Sequence, residues 1–333
     1  MSILAPFDQF LHGDVLYLLL HLSDPTLHET GSRNFYGGAV DRMARATGFQ
    51  IDYRSLDLKS TISGRLVLSL PNSKRDDSRA LEAAQTIVYS HWAMSGPSTR
   101  IDDPFFVLPI PSGCIEGERI QRKALESFVI EAMGEEEGTS FIHLQLLLAG
   151  NSSAANSAAA WRLASVAFGD PQLKRAIRYL VDSQNNFYAY PGEIPELLEH
   201  TQYSGYRWWE WSKLERALIS SYSAVEALIG DPPKKEKKLH HKLRFEHHVE
   251  PDMVFGELPP LEGLTVAQMI QRMQRTRDKR AAHGSTPDGA LTLAKLLGFQ
   301  SLTQFLILAH AEHNLGESLY PPGTVWDLLP RDA

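Results

Sequence analysis

The chain has 333 residues, 43% of them apolar and 22% charged, enough for two globular domains of ordinary size. Its formal net charge of -7 excludes nucleic-acid binding through a general basic excess, so any RNA contact has to be local. The single Cys114 excludes an internal disulfide framework and a cysteine-based zinc site, and fits a reducing compartment.

The opening stretch MSILAPFDQFLHGD has neither a basic n-region nor a cleavage signature, and no apolar run reaches the length that spans a bilayer. A cytoplasmic protein with no membrane partner is expected. Residues 1–150 mix short apolar runs with turns. Val15 to Leu22 and Arg65 to Leu70, bounded by Gly, Pro, Asp or Asn, predict strands, and Phe49 to Tyr53 and Phe105 to Ile110 are further candidates. Asp77 to Trp92 predicts a helix with Leu81, Ala84, Gln85 and Val88 on one face, and Glu118 to Met133 predicts another along Ile120, Ala124, Phe128 and Ala132. This half is expected to be an α+β domain. Gly37-Gly38 is an isolated pair with no Walker or G-x-G-x-x-G spacing around it, so no phosphate-cradling loop and no cofactor are expected.

The small, polar segment Gly150 to Ala159 reads as a linker and places the domain boundary near 150, although its Ala-rich end could equally start a helix running to Phe168. From 151 to 333 the pattern predicts an all-α bundle. Pro171 suits a first helical turn and leads the stripe Leu173, Ile177, Leu180 and Val181. Pro191 to Thr201 is a short helix candidate. The aromatic cluster Tyr203 to Trp211 could stack on bases but reads better as core or interface. It leads into the best-patterned helix, with Leu214, Ala217, Leu218, Ser221, Tyr222, Val225, Leu228 and Ile229 on one face.

After Pro232-Pro233 comes KKEKKLHHKLRFEHHV. His240, His241, His247 and His248 look like metal ligands. However, His240 and His247 lie about 10 Å apart along a helix, too far for two bonds of about 2 Å to one zinc. No metal is therefore expected. Lys234, Lys235, Lys238, Lys242 and Arg244, with Lys237, form the one dense basic stretch of an acidic chain: a solvated helix face or a phosphate contact. Leu302, Phe305, Leu306, Ala309 and His313 define the last helix. His313 is expected to be a hydrogen-bonded core residue, and His310 and Glu312 to be exposed. The tail from Tyr320 is expected to be extended, with Trp326 docked on the body.

Between them lies Leu264 to Gly284, LTVAQMIQRMQRTRDKRAAHG. Val266, Met269, Ile270 and Met273 recur at three- and four-residue spacing and line one helix face. Arg277 continues that stripe, so its guanidinium needs an anionic partner or a cleft. The plain alternative is an Arg that snorkels at the bundle rim and a His that ends a helix before Gly284.

Arg277, Asp278 and His283 form R-D-x-x-x-x-H followed by Gly, downstream of the amphipathic run Leu214 to Ile229 and upstream of one more long helix. That order resembles the HEPN family, a helical bundle whose late helix carries an Arg, a polar residue beside it and a His a few positions on. The family's range includes the five residues between Arg277 and His283. The resemblance covers about the last 130 residues at most, with a motif core near 207–316, and leaves the first half outside it. It implies a homodimer through the helical domain and metal-independent endoribonuclease chemistry of the kind found in toxin or defence systems. Arg277 would meet the phosphate charge, His283 would move the proton of a ribose 2′-hydroxyl or of the leaving 5′-oxygen, and Asp278 would hold the Arg. Six residues of ideal helix turn about 240°, so Arg277 and His283 share a face only if the helix ends near Ala282 or a second copy completes the site. Arg280, three residues before His283, is a substitute cation. The competing expectations are a non-catalytic HEPN-like module that binds a nucleotide, RNA or an unidentified protein partner, and a structural accessory protein.

Overall fold

The computed structural model describes residues 11–12, 15–21, 41–48, 51–52, 65–71, 77–94, 107–109, 111–116, 119–121, 123–124, 127, 152–186, 208–256, 261–283 and 291–319. Helix dominates among them. The chain divides into two compact units: Met1–His91 with Asp102–Gly169 and Leu319–Ala333, and Trp92–Ile101 with Asp170–Ser318.

In the first unit, β2 (Val15–His21) pairs antiparallel along its whole length with β4 (Arg65–Pro71), with Leu18 opposite Leu68. The other edge of β2 takes β1 (Leu11–His12) near its start and β5 (Val107–Pro109) near its end, while β3 (Ile51–Asp52) joins β4. Residues 41–47 form a short helix, α1. In α2 (Asp77–Met94) the buried row runs through Ala83, Ala84, Ile87 and His91, and Gln85, expected on that row, is exposed. The helix expected from Glu118 begins later. Arg119–Ile120 (β7) is a strand paired with Ile115–Glu116 (β6), Ile115 facing Ile120, and the Gln121 N–H continues the ladder to the Cys114 carbonyl at 2.7 Å.

The stretch expected as a linker is α3 (Ser152–Gly169), so the division falls at Gly169/Asp170, one helix later than the boundary expected near 150. Alanine explains both facts. It has the highest helix propensity, and Ala159, Ala160, Ala164 and Ala167 are buried beside Leu163 and Trp161, whose ring meets His91 edge-on at 5.2 Å.

The second unit is a helical bundle centred on α5 (Trp208–Ile229), which packs against α4 (Pro171–Asn186), α7 (Val266–His283) and α8 (Leu293–Leu315). The spacing that predicts these helices also predicts what they bury. Leu173, Ile177, Leu180 and Val181 of α4 are buried, as are Leu214 through Ile229 at the eight stripe positions of α5 and Val266, Met269, Ile270 and Met273 of α7. A buried polar seam ties three of them. Ser183 Oγ donates to the Ala217 carbonyl at 2.6 Å and accepts from Gln300 Nε2 at 3.0 Å, and Ser221 Oγ meets Thr303 Oγ1 at 2.8 Å.

Local signals set the helix ends. Asp170 caps α4, accepting the Gln172 and Leu173 N–H groups at 2.9 and 3.0 Å. Thr265 and Gln268 cap α7 reciprocally: the Gln268 N–H donates to Thr265 Oγ1 at 3.3 Å and the Thr265 N–H to Gln268 Oε1 at 3.1 Å. Gly316, at φ 69°, closes α8 with its N–H on the Glu312 carbonyl at 2.8 Å. Pro191 to Thr201, the aromatic stretch before Trp208 and the tail from Tyr320 lie outside the described residues.

Candidate functional site

Arg277 sits one turn beyond Met273 on α7, where the apolar stripe reaches the edge of the bundle. Its side chain is 27% exposed. The guanidinium carbon lies 3.8 Å from the ring centroid of Tyr222 on α5, a cation–π geometry. Nη1 donates to Glu226 Oε1 at 3.0 Å, and Nε and Nη2 both donate to Asp278 Oδ1, at 3.1 and 2.8 Å. The expected anionic partner is therefore double, one carboxylate from each helix. Burial alone would lower the Arg277 pKa, but the bonds to Asp278 and Glu226 and the field of Tyr222 outweigh it and raise it.

Tyr222 is fully buried. Its hydroxyl finds no hydrogen-bond partner among the described residues, and burial, with the carboxylates of Glu226, Asp231 and Asp278, pushes its pKa up to about 12 against the opposing pull of Arg277. Gln274 Nε2 donates to the Pro232 carbonyl at 3.3 Å, which pins the turn carrying Asp231 against α7. One guanidinium thus lies on an aromatic floor between two carboxylates, with Asp231 acting on the same ring.

The remaining residues singled out from sequence distribute unevenly. α7 is helical as far as His283, so Arg277 and His283 are separated by about 9 Å along one axis and by about 240° of ideal helical turn. The side chains of Arg280 and His283 lie outside the described residues. Lys234, Lys235 and Lys238 are exposed on and before α6 (Glu236–Glu246). Lys242 is half-buried, its Nζ 3.2 Å from where a side chain on Gly230 would begin, so its charge lies at the C-terminal end of α5. Arg244 is ion-paired with Glu250 and, at 3.2 Å, with Asp252, which removes it from the outward-facing cations.

Two histidine expectations are reversed. His310 is half-buried, with Nε2 2.9 Å from Asp170 Oδ2, whereas His313 is exposed and stacks on His248 with centroids 3.8 Å apart. Leu302, Leu306 and His310 continue the buried row of α8 at four-residue steps, while Phe305, Ala309 and His313 run along its margin. Burial pushes the Asp170 carboxyl up, but bonds from Leu173, His310 and Gln172 outweigh it and hold it below the usual range. His248 keeps its stack from a left-handed backbone, φ 55°.

Tyr222 and Glu226 were not singled out as site residues. The available signal was their i, i+4 spacing on α5, with Glu226 beside buried Val225 at the rim of the stripe. Among the described residues no group of three or more His, Cys, Asp or Glu could hold a metal ion, and no helix is long and apolar enough to cross a membrane. No protein-family model, curated protein or solved structure matches the chain.

Proposed function

We propose that the second unit is a HEPN-like helical module that cleaves RNA without a metal, as a homodimer through the helical domain. One observation carries this reading: the Arg277 guanidinium is fixed in place before any ligand arrives. Asp278, Glu226 and the Tyr222 ring hold it through three of its five N–H groups, leaving two for a phosphate. A preorganised cation of that kind suits the charge that grows on a phosphate during transfer. The two bonds that Asp278 accepts from Arg277 support the holding role proposed for it. His283 would come from a second copy facing α7, because six residues of ideal helix turn about 240°. There it would take the 2′-hydroxyl proton or protonate the leaving 5′-oxygen, and the product end would be a 2′,3′-cyclic phosphate. In this reading the first unit is an α+β domain and the protein works in the cytoplasm.

A second reading is favoured by the surplus of carboxylates. Glu226, Asp231 and Asp278 outnumber Arg277, and this repels a polyanion unless the lysines of α6 offset it. The module would then bind a nucleotide, RNA or a protein partner without cleavage. The test is full-length protein with mixed RNA in EDTA, beside Arg277→Ala and His283→Ala. Cleavage lost in both variants supports the nuclease. Absent cleavage, or cleavage that survives both changes, removes it, and binding that Arg277→Ala alone abolishes supports the module.

A further inference from the structure

We propose that the outer face of α6 is a stacking platform for single-stranded RNA, in which Phe245 and His241 take bases and Lys237 and Lys238 take the phosphates. The inference rests on the RNA reading above for its ligand but needs no cleavage.

Helix α6 is anchored by Leu239 and Leu243, both fully buried. At about 100° per residue, positions 237, 238, 241 and 245 fall on the side opposite those two leucines. All four are exposed, Phe245 by 64%. Phe245 lies against His241 with ring centroids 4.9 Å apart and planes at 42°, so the two rings form one aromatic step one helical turn long.

Charge reinforces this face. The basic run divides in two: Arg244 is spent on Glu250 and Asp252, and Lys242 lies beside Gly230. Lys234, Lys235, Lys237 and Lys238 are exposed and form no ion pair among the described residues. Glu236, the acidic residue among them, lies 3.7 Å from His240. In a chain of net charge -7 this leaves four lysines beside an exposed ring pair. Lysine with exposed aromatic rings is the combination that grips unpaired bases, whose π faces a duplex hides. An anionic membrane would instead need a broad apolar helix face, and Phe245 is the one large exposed apolar side chain on α6.

The test is fluorescence anisotropy of the full-length protein with short single-stranded RNA carrying 2′-O-methyl riboses, which block attack by the 2′-oxygen. The same strand as a duplex and phosphatidylserine vesicles serve as competitors. Single strands are expected to bind and to displace better than duplex or vesicles. Phe245→Ala should weaken binding about tenfold or more, and Phe245→Trp should preserve it. Lys237→Ala with Lys238→Ala should reduce the slope of log affinity against log salt by roughly 0.7 per lysine. Circular dichroism of Phe245→Ala should match the parent, since the ring packs on no core. Absent binding, unchanged affinity in Phe245→Ala, or preference for duplex or vesicles overturns the proposal. Failure of the nuclease reading looks different: anisotropy persists while unmodified RNA stays intact.

Discussion

Replacing Arg277 by Ala removes one cation–π contact and two carboxylate partners at once, and the size of the loss follows from how exposed each partner is. The guanidinium over Tyr222 is three-quarters buried, which puts the ring contact at about 1 kcal/mol. Glu226 and Asp278 are 36% and 44% exposed, so each pair contributes no more than about 0.5 kcal/mol. The sum is about 2 kcal/mol, a fall in melting temperature of about 4–8 °C for a unit of this size. Against a typical stability of about 5–15 kcal/mol the variant stays folded, which is what makes its RNA assay interpretable. Arg277→Lys keeps the charge but loses the planar fork and should give up about half as much. The measurement is urea unfolding of the full chain followed by circular dichroism, with Arg277→Ala and Glu226→Gln singly and together. A coupling of up to about 0.5 kcal/mol between them is expected. A loss of stability under about 0.5 kcal/mol with zero coupling would refute the pinned guanidinium and, with it, the preorganisation on which the RNA chemistry depends.

Ser183→Ala should cost about 1–3 kcal/mol, because it strands the Nε2 of buried Gln300, whose Oε1 already has no partner among the described residues; an unchanged unfolding midpoint would mean the seam between α4, α5 and α8 is not closed as described. Gly256→Ala would place a Cβ 1.8 Å from the Leu261 carbonyl oxygen and should destabilise by about 1–3 kcal/mol, whereas Gly113→Ala meets nothing within 4 Å and should stay within about 0.5 kcal/mol. Equal melting temperatures for the two variants would contradict this. For pH, burial is the first cause lowering the pKa of His247 and His313 below the usual imidazole value of 6.5, with Lys242 adding to it at His247 and His248 at His313. The unfolded chain then binds more protons than the folded one, so stability should fall as the pH is lowered through the usual imidazole value of about 6.5 and below it. Thermal melts across that range check it, with a flatter profile expected in His247→Gln; a rise on acidification would reverse the sign of the argument.

The reading of α7 shows how far sequence reached into the site. Its stripe from Val266 to Met273 was legible because burial of an amphipathic helix follows local spacing, and Arg277 at the end of that stripe announced a charge in need of a partner. Thr265 and Gln268 have the capping-box spacing that starts the helix, a local signal that the reading of the stripe did not use. Glu226 was not legible as that partner, since it stands 51 residues earlier on another helix. The Ala-rich stretch before Trp161 fits a linker as well as a helix, because small residues become core only when something packs on them.

By itself the sequence determined which faces of α4, α5 and α7 are apolar and where several of their ends fall, because both depend on residues within a turn or two of each other. Tertiary structure alone decided that Glu226 and Tyr222 receive Arg277, that His310 rather than His313 meets Asp170, and that the units divide after Gly169. Those outcomes depend on the axial register and crossing of separate helices. The period of a single helix does not encode either quantity, and a shift of one residue along an axis exchanges one set of partners for another.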